Sequence, residues 1–462
     1  MNTGTLRQRS NLGAKALLVA GVWLTSAVSY AQLGPDQATL ATERDYAVTP
    51  ELLANGADPL LVIDLSVELT QQAESYTGAT EVMAGGNICP GRQSVRFGSS
   101  NYTADICYTN DEEYIGYFDP GKCYRYNKAG DDETRQEATS PHAAVDPEYF
   151  YPSSLADSDY ECAGENEFSG NFMNWATMTA IDQFRGAMTG GARLVDTYGS
   201  SALTLLTRTH RYNDWNFVDK AISSGGYGKS TGGTYYSFTN TPSRLTPFDE
   251  GAIRVDNTFN SMGNRIRFYD SGNDFLGEYS VIVQVCDDDI SLESNCVAYE
   301  DGTRTWYKPE GLLIQSAQKM KYALFSYLAD NSHSRNGGVL RVGAKYIGTQ
   351  RPTANGGFEV NPQAEIDANG VIVLDPDSLS NAGLAVSNSG VLNYINNFGL
   401  GNNRYKSFDP VAELYYESLR YLVAKDSGGS QMSPTAEYYN NITDSDMRDN
   451  FPVITSWTDP IT

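Results

Sequence analysis

Apolar residues recur along this chain at spacings that commit the backbone in several places. Leu60-Leu61-Val62-Ile63 is a short unbroken run ended by Asp64, the pattern of a strand covered on both faces of a mainly parallel sheet. Val339-Leu340-Arg341-Val342-Gly343-Ala344 predicts a second central strand. Phe172, Trp175, Ala176, Thr179, Ala180, Phe184 and Ala187 recur at helical spacing and predict a broadly apolar helix that the rest of the molecule must cover. A second helical stripe runs through Leu313, Ala317, Met320, Leu324 and Tyr327 or Leu328 and should stop before Asn336-Gly337-Gly338. Asp409-Pro410, a capping acceptor before a first-turn proline, opens a third helix with Val411, Leu414, Tyr415, Ser418, Leu419 and Leu422 along one face. Strands alternating with helices predict an α/β core.

Two regions break this alternation. Residues 84–165 are rich in Gly, Asn, Asp and Tyr, carry four cysteines and show no long periodic run, which reads as a disulfide-stapled, loop-rich insertion. Residues 222–306 hold Ser/Gly/Thr turn clusters, then Asn264-Arg265-Ile266-Arg267-Phe268 and alternating Tyr279, Val281, Val283 and Val285, which reads as a small antiparallel β insertion.

The first residues change the picture of where the chain works. Arg7, Arg9 and Lys15 precede an apolar stretch from Ala16 to Val28, and Ser29-Tyr30-Ala31 offers a small-x-small cleavage site, so residues 1–31 read as a secretory signal peptide. Residues 32–57 follow as a polar leader, and no later segment approaches the roughly 20 apolar residues of a membrane span. Residues 1–31 hold three basic and no acidic residues, so their removal takes the formal charge from −24 to −27 and argues against nucleic acid and anionic membranes as partners. Six cysteines remain for an oxidising compartment. Cys286 and Cys296 close one short loop, while Cys89, Cys107, Cys123 and Cys162 pair among themselves in one of three ways. Without a CxxC pair, and with three histidines (His142, His210 and His333), a zinc site is disfavoured.

The helical segment Phe168-Ser169-Gly170-Asn171-Phe172-Met173-Asn174-Trp175-Ala176-Thr177 through Arg185 closely resembles a signature of the PilC/PilY family of type IV pilus tip proteins. Further blocks in the family's order are similar: Tyr114-Ile115-Gly116-Tyr117-Phe118-Asp119-Pro120 with Cys123-Tyr124-Arg125-Tyr126, Thr189-Gly190-Gly191-Ala192-Arg193, Lys308-Pro309-Glu310-Gly311-Leu312, Tyr405 through Tyr416, and Phe451 through Trp457. The resemblance covers about residues 58–462 and implies a von Willebrand factor A-like, Rossmann-type core hosting the tryptophan helix at its centre. The family's C-terminal β-propeller and its calcium loop have no counterpart before Thr462, so the sequence reads as an N-terminal portion, either a fragment or a truncated product.

The same resemblance implies an Asp-x-Ser-x-Ser adhesion motif after the first strand. Here it reads Asp64-Leu65-Ser66-Val67-Glu68, so Asp64, Ser66 and Glu68 are the candidate ligands for Mg2+ or Ca2+. The longer, charged Glu68 either occupies the place of a ligand carboxylate or spoils the site. A simpler role for Asp64 and Ser66 is to cap the following helix. Asp287-Asp288-Asp289 lacks the glycine and distal glutamate of an EF-hand loop and reads as a solvated turn.

No Ser-His-Asp arrangement, G-x-S-x-G elbow, P-loop or H-E-x-x-H is present, and the chain reads as a non-enzyme. The expected function, implied by the resemblance, is that of an adhesin or pilus assembly factor at the cell surface, passing through the periplasm, with minor pilins and a host or abiotic surface as partners. An exported carbohydrate-active hydrolase using a carboxylate pair is the alternative from another class.

Overall fold

A computed structural model describes residues 59–76, 81–82, 88–89, 91–127, 148–209, 217–227, 239–258, 263–328, 338–353, 355–379, 386, 388–398, 410–423 and 448–460. In chain order the principal strands are β1 (Leu60–Asp64), β2 (Arg92–Phe97), β3 (Ser100–Asp105), β4 (Lys122–Asn127), β5 (Tyr149–Leu155), β6 (Phe168–Ser169), β7 (Arg193–Thr197), β8 (Leu203–Thr207) and β9 (Asp219–Ser223). They continue as β10 (Ala252–Asp256), β11 (Arg265–Asp270), β12 (Phe275–Ser280), β13 (Ile282–Gln284), β14 (Cys296–Glu300), β15 (Thr305–Pro309), β16 (Lys321–Ser326) and β17 (Val339–Lys345). The main helices are α1 (Gly170–Thr177), α2 (Ala180–Thr189), α3 (Leu312–Gln315), α4 (Val391–Asn397) and α5 (Val411–Val423).

Three sheets organise the mixed α/β fold. The smallest has the order β1-β16-β17, with β1 parallel and β17 antiparallel to β16. Its central strand is the second predicted helix. The stripe of Leu324 and Tyr327 is real as burial, but Tyr322 to Leu328 is buried on every side, and a continuous apolar run does not distinguish a covered strand from a helix. The helical part shrinks to the four residues of α3. β1 lies at the sheet's edge with partly exposed side chains, so the expected doubly covered strand is β16 and the sheet is mixed in direction.

The other two sheets have six strands each, in the orders β6-β4-β5-β13-β8-β7 and β12-β11-β10-β9-β3-β2. Both combine strands from 84–165 with strands from 222–306, so the two predicted insertions are one structure. The region read as loop-rich contributes β2 to β5. Its strands escaped notice because they bury aromatics such as Tyr124 and Phe150 among polar neighbours, which masks a period of two. The alternation from Tyr279 to Val285 is also split: Val281 carries the chain from one sheet to the other, and all four residues face the same core.

That core is aromatic, gathering Tyr108, Phe118, Phe150, Phe168, Phe172, Trp175, Phe268 and Tyr279, with several ring pairs edge-on. All eight residues of α1 are buried, and the tryptophan helix lies in this aromatic core and not at the centre of the α/β sheet. The predicted single helix breaks at Met178, where Thr179 caps α2 in a reciprocal box with Asp182. Ala180 and Ala187 are exposed, while Ile181, Asp182, Arg185 and Thr189 are buried.

α2 thereby reaches a second, largely aliphatic core built from β16, β17, α4 and α5, in which Phe325, Tyr421 and Trp457 meet ring to ring. Arg185, fully buried, donates to the carbonyls of Ile395 (2.8 Å) and Phe398 (2.5 Å) at the end of α4. These carbonyls have no partner inside their own helix, and a cation there also suits the helix dipole. On α5 the buried face is Leu414, Glu417, Ser418 and Tyr421. Tyr415 and Leu419, placed on the apolar face by the sequence, are exposed, and Asp409 lies outside the described residues.

Arg185→Met should lower stability by about 3 kcal/mol, because it strands buried carbonyls and the nearby Asp182; a shift in the urea midpoint with unchanged slope measures it. A pH effect is expected from Asp219. Burial, then the charge of Asp256, pushes its carboxyl up to about 7 against the pull of Arg254 at 2.7 Å. The folded value stands above the ordinary 3.8, so folding disfavours the ionised form. Stability from this group should therefore rise as pH falls from about 7 through that window, and Asp219→Asn should flatten the slope of midpoint against pH.

Candidate functional site

Asp64 ends β1 at the carboxyl edge of the α/β sheet, and the next residues alternate. Leu65 and Val67 turn into the aliphatic core, which leaves Asp64, Ser66 and Glu68 on the outer side. Leu65 N donates to Phe325 O (2.9 Å), extending the parallel pairing one residue past the strand. The Asp64 carboxylate accepts from Ser418 Oγ of α5 at 2.7 Å, and Ser418 also donates to Tyr415 O. Partial burial raises the Asp64 carboxyl above its ordinary range, with the hydrogen bond from the Ser418 hydroxyl opposing. The Ser66 carbonyl accepts from Gln71, and Glu68 precedes a single 3-10 turn, Leu69–Gln72, where neither Asp64 nor Ser66 caps a following α-helix. Asp64 and Glu68 bring two carboxylates and Ser66 a hydroxyl to this short segment.

Other metal-capable clusters among the described residues lie elsewhere. Two contain disulfides, Cys123–Cys162 and Cys286–Cys296, whose sulfurs cannot act as thiolate ligands; Cys107 is disulfide-bonded as well. The third is Asp287-Asp288-Asp289, where Asp287 accepts from Asp289 N and Gln284 Nε2, as in a turn that holds itself. His142, His210 and His333 lie outside the described residues, as do the leader and signal segments.

The signature blocks converge, and they do so as joints. Asn171 accepts from Tyr114 N (2.7 Å) and donates to Glu112 O (2.9 Å). One turn later Asn174 accepts from Phe118 N (3.1 Å) and donates to the carbonyls of Tyr114 (2.7 Å) and Phe118 (2.8 Å). The loop from 112 to 118 thus satisfies its buried backbone through two side chains of α1. Gly190, at φ 87°, caps α2 so close to Pro309 that a Cβ would overlap its carbonyl, and Gly311 packs as closely on the backbone of Met188 and Thr189. Beside them Arg193 donates to Asp196 (2.8 Å) and Pro309 O (2.6 Å), while Lys308 donates to Asp196 (2.6 Å).

The resemblance covers Asn171 and Asn174 without giving either a role, and Asp196 and Ser418 fall outside its blocks. The asparagines were findable, because two amides one turn apart on an otherwise apolar helix need buried partners. Asp196 and Ser418 carried no local signal.

This architecture defines a class: a small α/β unit carrying two large β-sheets, with several buried polar residues forming internal joints. Residues 105–266 match the model described as "PilY1 homolog, small alpha/beta domain", and residues 326–462 match "PilY1 homolog, second domain". Two proteins of Xylella fastidiosa, each named type IV pilus biogenesis factor PilY1 homolog, are similar at 32% identity over 82% of this chain and 24% over 74%. The chain belongs to the PilY1 family. The aligned regions span 31% and 24% of those relatives' lengths. No solved structure matches.

If the asparagines are joints, Asn174→Ala should cost about 3 kcal/mol by orphaning buried backbone groups of the 112–118 loop, and limited proteolysis should then cut that loop first.

Proposed function

We propose that this chain is part of a pilus-associated binding protein, a tip adhesin or assembly factor of type IV pili, reached by export through its signal peptide and the periplasm. The observation that carries this reading is the similarity, over most of the chain, to relatives named as type IV pilus biogenesis factors. Minor pilins and a host or abiotic surface are the proposed partners. A binding role fits a molecule whose buried ionisable groups are engaged in joints. The cavity beside Asp287 and Asp288, with Trp306 and Tyr307 on its wall, holds about 110 Å³, below the several hundred typical of a small-molecule site, so it gives a hydrolase reading no support.

We also propose cation dependence at Asp64, with Ser66 and Glu68, in a von Willebrand factor A-like half-sheet. The parallel β1-β16 pair and the place of Asp64 beyond the carboxyl end of β1 support it, since ligands of open α/β sheets gather there. Among the described residues no helix is long and apolar enough to cross a membrane.

Deleting the gene should reduce surface piliation, twitching and attachment, and the intact gene should restore them; unchanged pili and attachment would contradict the pilus reading. For the cation site, calorimetric titration with Mg2+ and Ca2+ should show binding that Asp64→Ala abolishes while the fold persists. Equal heats from the two proteins would remove Asp64 from any such site.

A further inference from the structure

Lys220 occupies an unusual place for a primary amine. It is fully buried on β9, in parallel register opposite Asp105, the last residue of β3 and equally inaccessible. Its Nζ stands 3.2 Å from Asp105 Oδ2 and 3.3 Å from Glu74 Oε2, donates to Tyr76 O, and sits 4.7 Å above the ring centre of Trp175. Both carboxylates are held by the backbone: Cys107 N donates to Asp105 Oδ1 (2.9 Å) and Val218 N to Glu74 Oε1 (3.0 Å). An amine and a carboxylate oxygen kept at this range, in a dry aromatic setting with a second carboxyl at the amine, place the two groups side by side for condensation.

We propose that Lys220 and Asp105 become joined by an intramolecular amide bond, a self-catalysed cross-link in which Glu74 relays the protons. Nζ bonds to Cγ of Asp105, one Cγ–O bond breaks, and the departing oxygen leaves as water with two of the three ammonium protons. An ammonium and a carboxylate thus give an amide and one water, with no oxidant, reductant or cofactor. Glu74 suits the relay. Burial raises its carboxyl above the ordinary range, against the attraction of Lys220, so it can both accept and return a proton.

Lys122, Lys308 and Lys345 are also buried beside carboxylates, but the strand register sets Leu155, Val297 and Tyr322 opposite them and not the acid. Asp196, the partner of Lys308, also takes the Arg193 guanidinium, and a carboxylate clamped by two cations stays ionised. Lys345 faces Glu365, whose oxygens accept from the first two amides of α4, and Asp377. The β3–β9 seam also has reason for a tie. It holds two register pairs and joins strands from distant parts of the chain, the cross-linked residues being 115 positions apart. The proposal does not depend on the pilus reading.

The test is mass spectrometry of the full folded chain after reduction and alkylation. The expected result is an intact mass one water below that of the sequence, a branched tryptic peptide containing Asp105 and Lys220, and no cleavage after Lys220. Lys220→Arg should return the full mass. Glu74→Gln, checked for folding by circular dichroism, should slow cross-linking at least about 100-fold. Wild-type protein at full mass with normal cleavage after Lys220 would overturn the proposal, as would a water loss mapped to a succinimide elsewhere. Cross-linking of Glu74→Gln at the wild-type rate would overturn the relay.

Discussion

Arg185 shows the constraint on which this structure depends. Its guanidinium is sealed from water where an aromatic core and an aliphatic one meet, and it answers the last carbonyls of a helix more than two hundred residues away. A buried cation is tolerated when it is paired and hydrogen-bonded, and these two bonds fix α4 against α2. Apolar packing alone would let the helices slide. The pairing of Arg185 with two specific carbonyls does not, and the capping box of Thr179 and Asp182 fixes the other end of α2.

The same logic explains the signature segments that mark the family. Asn171 and Asn174 take up the backbone of the 112–118 loop, and Gly190 and Gly311 let α2 meet the end of β15. Arg193, Asp196 and Lys308 form a charge cluster at that junction. Each joins chain segments far apart in sequence, so these motifs specify how the large β-sheets attach to the α/β unit.

Much of the local structure was legible in the residues. The run Leu60–Ile63 and the run from Val339 are strands, the tryptophan segment is helical and buried, and Val411 to Val423 is a helix. What failed is long-range. Periodicity reports burial but not the partner, so α1 was assigned to the wrong core, and the stripe through Leu324 and Tyr327 read as helix when flanking strands made it the middle of a sheet. Two insertions defined by composition merged, because no local feature announces that β3 will pair with β9. At the candidate site, Asp64 was placed by the end of its strand, whereas Ser418, which donates to it, is 354 residues away and left no trace.

The central claim is that α1 and α2 form one cooperative joint between the cores, with the 112–118 loop belonging to it. Native-state hydrogen exchange measures this directly. Amides of α1, of α2 and of Tyr114 and Phe118 should share one opening free energy, close to that of global unfolding. Exchange of Tyr114 and Phe118 at the rate of an open loop, while α1 remains protected, would contradict the account.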